Sequence, residues 1–125
     1  HHTAPINSIF ALHEALRLAC DETLEKLWSR HLNAHHRLKE GLDELNFNFV
    51  VDKEYRLPQM NSIYIPDGHD DLEVRSRLLN DFNLEIGAGL GKFSGKIWRI
   101  GLMGYNARSE SVDYCLDSLK NVLNK

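Results

Sequence analysis

The apolar positions of the first third of the chain repeat at three- and four-residue spacing, which predicts helices. One face carries Ile6, Ile9, Phe10, Leu12, Leu16 and Ala19, and a second carries Leu24, Leu27, Trp28, Leu32, His35, Leu38 and Leu42. Pro5 suits a first helical turn, and Gly41 marks a stop near the end of the second face. The pattern predicts helix over residues 4–44 and leaves open whether Cys20 to Thr23 is a break or a kink.

The periodicity changes after residue 46. Alternation from Phe47 to Val51 predicts a strand, and the run from Met60 to Ile65 predicts a second one. Asp70 is then the expected N-cap of a helix that carries Leu72, Val74, Leu78, Leu79 and Phe82.

The last third of the chain predicts two more strands and a helix. Leu84 to Ile86 is short and apolar, and the glycine-rich residues 87–91 predict irregular structure. Residues 96–102 predict a strand that is covered on both faces near its middle. A final helix is expected with Asn106 or Ser109 as N-cap, and its apolar face carries Val112, Cys115, Leu116, Leu119, Val122 and Leu123.

This order of elements predicts the fold class. Helix, helix, strand, strand, helix, strand, strand, helix indicates an α+β fold with a small, mostly antiparallel sheet and helices packed on one face. The chain has 125 residues, of which 42% are hydrophobic, enough for one core. We therefore expect residues 1–125 to form a single domain.

Composition excludes some classes of partner. A formal net charge of −3 lacks the basic excess that nucleic-acid binding needs. No apolar run approaches the roughly 18 residues of a membrane span. Cys20 and Cys115 lie in apolar helical patterns and are predicted to be buried free thiols in a reducing compartment, although a disulfide is left open.

The glycines between Gly87 and Lys96 invite a phosphate-loop interpretation, which the spacing contradicts. A Walker loop has four residues between its first Gly and the Gly-Lys pair, whereas five separate Gly89 from Gly95, and Ile97 follows the lysine. We interpret the segment as a tight loop between two strands, of the kind that often borders a binding site.

Three histidines are candidate metal ligands. His31 and His35 are spaced to share a helical face, with His36 beside them, but no nearby Cys or carboxylate completes a site. The sequence predicts no metal site and favours a solvated helix face.

Arg99 stands in the apolar run from Ile97 to Ile100, where an uncompensated charge is costly and an anion is the usual compensation. Its planar guanidinium can bind a carboxylate through two hydrogen bonds. A side chain that points to solvent or to a structural acidic partner is the alternative.

These residues also resemble a known family. The runs LEIGAGLG at residues 84–91 and GKIWRIGLMG at 95–104, then Asn106-Ala107, are similar to the C-terminal domain of the alanine:glyoxylate and serine:pyruvate aminotransferases, of which insect 3-hydroxykynurenine transaminase is a close relative. RLP at 56–58 and HHTAP at 1–5 resemble that family too, so His1 and His2 are interpreted as native residues rather than a tag.

The resemblance implies a homodimeric, fold-type I enzyme that uses pyridoxal 5'-phosphate. It implies that Arg99 binds the α-carboxylate of the amino or oxo acid, that Thr3 contacts the cofactor phosphate of the neighbouring subunit, and that Gly87 and Gly89 belong to a loop lining the substrate entrance. The helical residues 4–44 would face the large domain or the partner subunit.

The resemblance also places the lysine that carries the cofactor in the large domain, upstream of this chain. No residue here is therefore predicted to be catalytic, and the 125 residues alone are expected to be inactive. Peroxisomal location is implied by the family, while mitochondrial or cytoplasmic location remains open because no signal is visible. The alternatives are a stand-alone module that binds a small carboxylate or a purely structural dimerisation domain.

Overall fold

The computed structural model describes residues 3–124 and confirms the α+β class. Its helices and strands are α1 (Ile6–Glu22), α2 (Leu24–Glu44), β1 (Met60–Tyr64), α3 (Asp71–Phe82), β2 (Gly87–Ala88), β3 (Ile97–Gly101) and α4 (Ser109–Leu123). The described residues divide into two compact units, 3–30 and 31–124, and each is described by itself.

The smaller unit contains α1 and the first residues of α2, with a true break between the helices. Thr23 has φ 69°, outside the right-handed helical region, and its N–H donates to the carbonyl of Cys20 at 3.3 Å. No residue of α1 is buried. The question that the sequence left open, a break or a kink, is therefore answered as a break.

The larger unit is built on a three-stranded antiparallel sheet with the order β1-β3-β2. Because side chains alternate along a strand, the register divides the sheet into two faces. Asn61, Ile63, Trp98 and Ile100 point to one face and are all buried. We call this the covered face.

The covered face packs against three helices, as the sequence predicts. The core residues come from α2, α3 and α4 as well as from the sheet, and they include Leu38, Leu42, Val74, Leu78, Val112, Leu119 and Val122. The ring of Phe47 meets Trp98 edge-on, with centroids 6.2 Å apart. These contacts fix the position of β3.

Helix starts were predicted with mixed success. Asp70 is the N-cap of α3, because its carboxylate accepts from the N–H of Glu73 at 2.9 Å. The prediction for α4 is wrong: Arg108 occupies the N-cap position, and its side chain makes no capping bond.

Two strand predictions are also wrong. Phe47 to Val51 contributes only an isolated bridge between Phe49 and Ile63, and residues 84–86 belong to no strand. In contrast, Gly87 and Ala88 form β2, although the glycines predicted irregular structure there. These two residues pair with β3 at the edge of the sheet, a tertiary contact that local pattern does not reveal.

Candidate functional site

The second face of the sheet carries the candidate site. It presents Met60, Ser62 and Tyr64 of β1, Ile97, Arg99 and Gly101 of β3, and Gly87 of β2, of which Ile97 is buried. We call this the open face, because Met60, Tyr64 and Gly101 are exposed. Arg99 is on the central strand, so it is flanked on both sides.

The two residues directly beside Arg99 are Ser62 and Gly87. The N–H of Leu102 donates to Gln59 at 2.9 Å and that of Ile65 donates to Lys96 at 3.0 Å. These bonds place the hydrogen-bonded pairs at odd positions of β1, so Ser62 and Arg99 form a non-hydrogen-bonded pair. Side chains of such pairs approach most closely.

The guanidinium of Arg99 is anchored at one end only. Its Nε donates to the carbonyl of Ala88 at 2.7 Å, and the residue is half-buried. Within residues 3–124, no carboxylate lies within 4.0 Å of its nitrogen atoms. The structural acidic partner considered from the sequence is therefore excluded in this part of the chain.

A side chain at Gly87 and a side chain at Gly89 would meet different obstacles. A Cβ on Gly87 would lie 3.3 Å from Nη2 of Arg99, so a side chain there would press on the guanidinium. A Cβ on Gly89 would lie 2.0 Å from the carbonyl oxygen of Phe93, a clash within the loop itself. Gly87 thus keeps space for Arg99, whereas Gly89 permits the loop to fold.

The covered face holds the strands beneath the site by polar bonds as well as packing. Asn61 is buried, and its Oδ1 accepts from Nδ1 of His35 at 2.7 Å, since an amide oxygen can only accept. Its Nδ2 donates to the carbonyl of Pro58 at 3.3 Å and to that of Ile100 at 3.5 Å. This connects α2 to both long strands.

A second polar bond fixes the residue before Arg99. Nε1 of Trp98 donates to Oδ1 of Asp71 at 2.9 Å, and Asp71 also pairs with Arg75 at 2.8 Å. The Arg75 guanidinium, assisted by the Trp98 indole and opposed by burial, holds the pKa of the Asp71 carboxyl below its usual range. Asp71 therefore stays ionised as the acceptor for the indole.

The histidine interpretation needs correction. His31 and His35 are 6% and 7% exposed, so the predicted solvated helix face is wrong for both. Burial, only partly offset by the bond to Asn61, lowers the pKa of His35. Residues 3–124 contain no group of three potential metal ligands.

Thr3 is exposed and lies just ahead of α1, in the smaller unit. No hydrogen bond of its side chain occurs within the part of the chain that the structure describes. His1 and His2, which the sequence interpretation treats as native, lie outside the described residues.

Both cysteines are free thiols, but only Cys115 is buried as predicted. Burial raises the pKa of its thiol to about 12, which makes it a core residue rather than a nucleophile. Cys20 is exposed on α1. No described helix combines the length and the apolar character that crossing a bilayer would require.

The sequence singles out Arg99 and Gly87, which the register sets opposite each other on the open face, and it does not single out Ser62 or Asn61. The position of Ser62 opposite Arg99 follows only from the register of β1 against β3, which no local pattern reveals. Asn61 carried a usable signal, since an amide inside an apolar strand calls for a buried partner.

Comparison with known proteins gives a consistent family. Alanine–glyoxylate aminotransferase of Mus musculus is 39% identical over 124 residues, which cover 98% of this chain and 30% of the mouse protein. (S)-Ureidoglycine–glyoxylate transaminase of Bacillus subtilis is 37% identical over 123 residues, with 98% and 30% covered. No protein-family model matches the chain.

Solved structures agree with these relatives. The crystal structure of alanine–glyoxylate aminotransferase from Nostoc sp. superposes with a TM-score of 0.95 at 50% identity, covering 99% of this chain and 33% of that one. The chain spans about 30% of the length of the curated relatives that it matches. It belongs to the alanine–glyoxylate aminotransferase family and corresponds to the C-terminal part of its members.

Proposed function

We propose that this chain is the small C-terminal domain of a pyridoxal-phosphate-dependent aminotransferase. The enzyme would move an amino group from alanine or serine to glyoxylate or pyruvate. The proposal is supported by relatives named for transfer to glyoxylate and by the open face around Arg99. That face carries the argument because, within residues 3–124, its arginine has no carboxylate partner.

Arg99 is proposed to bind the α-carboxylate of the substrate. Its Nε is held by the Ala88 carbonyl, which leaves both Nη groups for an anion. Half-burial beside Met60 and Tyr64 reduces competition from water. By fixing the carboxylate at one point, Arg99 would orient the Cα–H bond for removal of its proton.

Thr3 is proposed to donate to the cofactor phosphate of the neighbouring subunit. The fit is chemical: its hydroxyl is exposed and makes no hydrogen bond within residues 3–124. Bound pyridoxal phosphate supplies the electron sink for the chemistry. The lysine that carries the cofactor is assigned to the large domain, so the 125 residues alone are expected to be inactive.

Within residues 4–44, helix α1 is proposed to face the large domain or the second subunit of a homodimer, since the second half of α2 is buried in this chain's own core. This is supported by α1, which has no buried residue and presents Ile6, Ile9, Phe10, Leu12 and Leu16, with Phe10 70% exposed. Apolar surface of this kind usually marks an interface. A peroxisomal location is proposed from the animal relatives alone.

The test is Arg99→Lys in the full-length enzyme. Lysine keeps the charge but loses the two-pronged geometry, so the KM of the amino acid and of the oxo acid should each rise about tenfold or more. Cofactor binding, followed by its absorbance, should not change.

Arg77→Lys is the matched control. Arg77 is also half-buried and also donates to a main-chain carbonyl, that of Val122, but it lies on α3. It should leave both KM values unchanged. Equal KM values for Arg99→Lys and the parent enzyme would refute the assigned role.

A further inference from the structure

We propose that the hydroxyl of Ser62 is a second donor to the carboxylate that Arg99 binds. The inference rests on the proposed function and deepens it, because it adds a residue to the same site. Its starting point is the register, which sets Ser62 directly opposite Arg99 on the open face.

The first step is proximity. Ser62 and Arg99 form a non-hydrogen-bonded antiparallel pair, in which the Cβ atoms lie about 4.5–5.5 Å apart. The other residues of β1 on this face are Met60 and Tyr64, which lie two residues before and two residues after Ser62 along the strand. Ser62 is therefore the residue of β1 directly opposite Arg99, while the Nε of Arg99 is bonded on the β2 side.

The second step is availability. Ser62 is half-buried, and its hydroxyl makes no hydrogen bond to any residue between 3 and 124. Its main-chain carbonyl accepts from the N–H of Val50 at 3.0 Å, so the backbone of the strand is held on its outer edge. The backbone is thus fixed while the hydroxyl stays free to turn toward a ligand.

The third step is the asymmetry around Arg99. On the β2 side, Nε is bonded to the Ala88 carbonyl, and the facing residue is Gly87, which has no side chain. On the β1 side, the facing residue is Ser62, whose side chain carries a hydroxyl group. A carboxylate has about four acceptor sites, so two bonds from a guanidinium leave room for an O–H donor.

Loss of the Ser62 hydroxyl is expected to lower the affinity for every carboxylate ligand by the same factor. Both amino acids and oxo acids carry the group that Ser62 would contact, and the contact would not change during the reaction. Removing it should therefore raise KM without lowering kcat.

The experiment uses the full-length enzyme loaded with cofactor and takes acetate as the probe, measured as a competitive inhibitor of the amino donor. Ser62→Ala should raise the acetate inhibition constant and the KM of alanine and glyoxylate about tenfold, the usual effect of a hydrogen bond to a charged group. The kcat should stay within about twofold. Ser62→Thr keeps the hydroxyl and should restore parent values.

Ser76→Ala is the matched control, since Ser76 is a half-buried serine on α3, away from the open face. An acetate constant unchanged by Ser62→Ala but raised by Arg99→Lys would overturn the role of Ser62 and leave the proposed function standing. No change in either variant would overturn both. If Ser62→Ala is not recovered folded, Ser62→Gly takes its place, and a parent-like acetate constant there would equally refute the role.

Discussion

The two faces of the sheet use neighbouring residues of one strand for opposite purposes. On the covered face, Trp98 and Ile100 are buried among three helices, and the Trp98 indole is bonded to Asp71. On the open face, Arg99 between them touches only Ala88 with its Nε, opposite Ser62 and Gly87. Among residues 3–124, the buried side chains of the covered face pack against helices of this chain, whereas Arg99 on the open face has no carboxylate partner.

This difference indicates that alternate residues of β3 have different roles. The buried residues set where the strand lies, and the strand in turn sets where the guanidinium lies. A charge can be kept available for a ligand only if something else holds its backbone in place. Substitutions at adjacent positions should therefore separate stability from binding.

The largest effect is expected for Trp98→Ala. It would empty a fully buried site and break the bond to Asp71, so the free energy of unfolding should fall by about 3–5 kcal/mol. Urea unfolding of the 125-residue chain would measure this loss.

Arg99→Ala, one residue further along the strand, is the matched control. It removes a half-buried side chain with one bond to a main-chain carbonyl, so the loss should stay below about 1 kcal/mol. Equal destabilisation by the two variants would contradict the division between the faces.

Much of the covered face could be predicted from sequence, because its signals are local. Leu78 and Val74 follow the helical period, Asp70 stands where an N-cap should, and Ile97 to Ile100 is an evident strand. Burial of a periodic apolar face needs no knowledge of its partner.

The open face was predictable only in part, because its geometry depends on pairing between distant strands. A charge among apolar residues makes Arg99 conspicuous in the sequence, whereas Ser62, 37 positions before it, has no such signal. Likewise, His35 looked solvated because the sequence does not show that Asn61 lies opposite it. Contacts of this kind follow from the tertiary fold rather than from local pattern.

A smaller effect is expected for Gly87→Ala, which tests the open face alone. The new Cβ would lie 3.3 Å from Nη2 and 3.5 Å from Cζ of Arg99, so the guanidinium must shift by a few tenths of an ångström. A shift of that size should raise the KM of the carboxylate substrates by roughly threefold while unfolding stability changes by less than about 1 kcal/mol.

Gly101→Ala is the control, because its Cβ would meet the flexible end of Met103 at 3.0 Å on the same face and not Arg99. Steady-state kinetics of the two full-length variants would compare them. A parent-like KM for Gly87→Ala would show that this glycine does not serve the guanidinium.

The smallest effect concerns the pH dependence that His35 brings to the covered face. Burial, with His36, Arg56 and Lys39 nearby, holds the pKa of His35 below its usual value despite the bond to Asn61. Below about pH 6.5 the imidazole of His35 is therefore protonated in the unfolded chain but stays neutral in the folded chain. The free energy of unfolding is highest above that pH and falls as the pH is lowered toward the pKa of His35 in the folded chain. One proton limits the slope to about 1.4 kcal/mol per pH unit.

His35→Gln should reduce this slope, because glutamine can still donate to Asn61 but does not titrate. His36→Gln replaces the exposed neighbouring ring and keeps the buried His35, so it should leave the slope nearly intact. Urea unfolding at several values between pH 7.5 and 5.5 would compare the three chains. If the parent and His35→Gln lose stability in parallel, the buried histidine is not the titrating group, and the covered face owes its acid sensitivity to another residue.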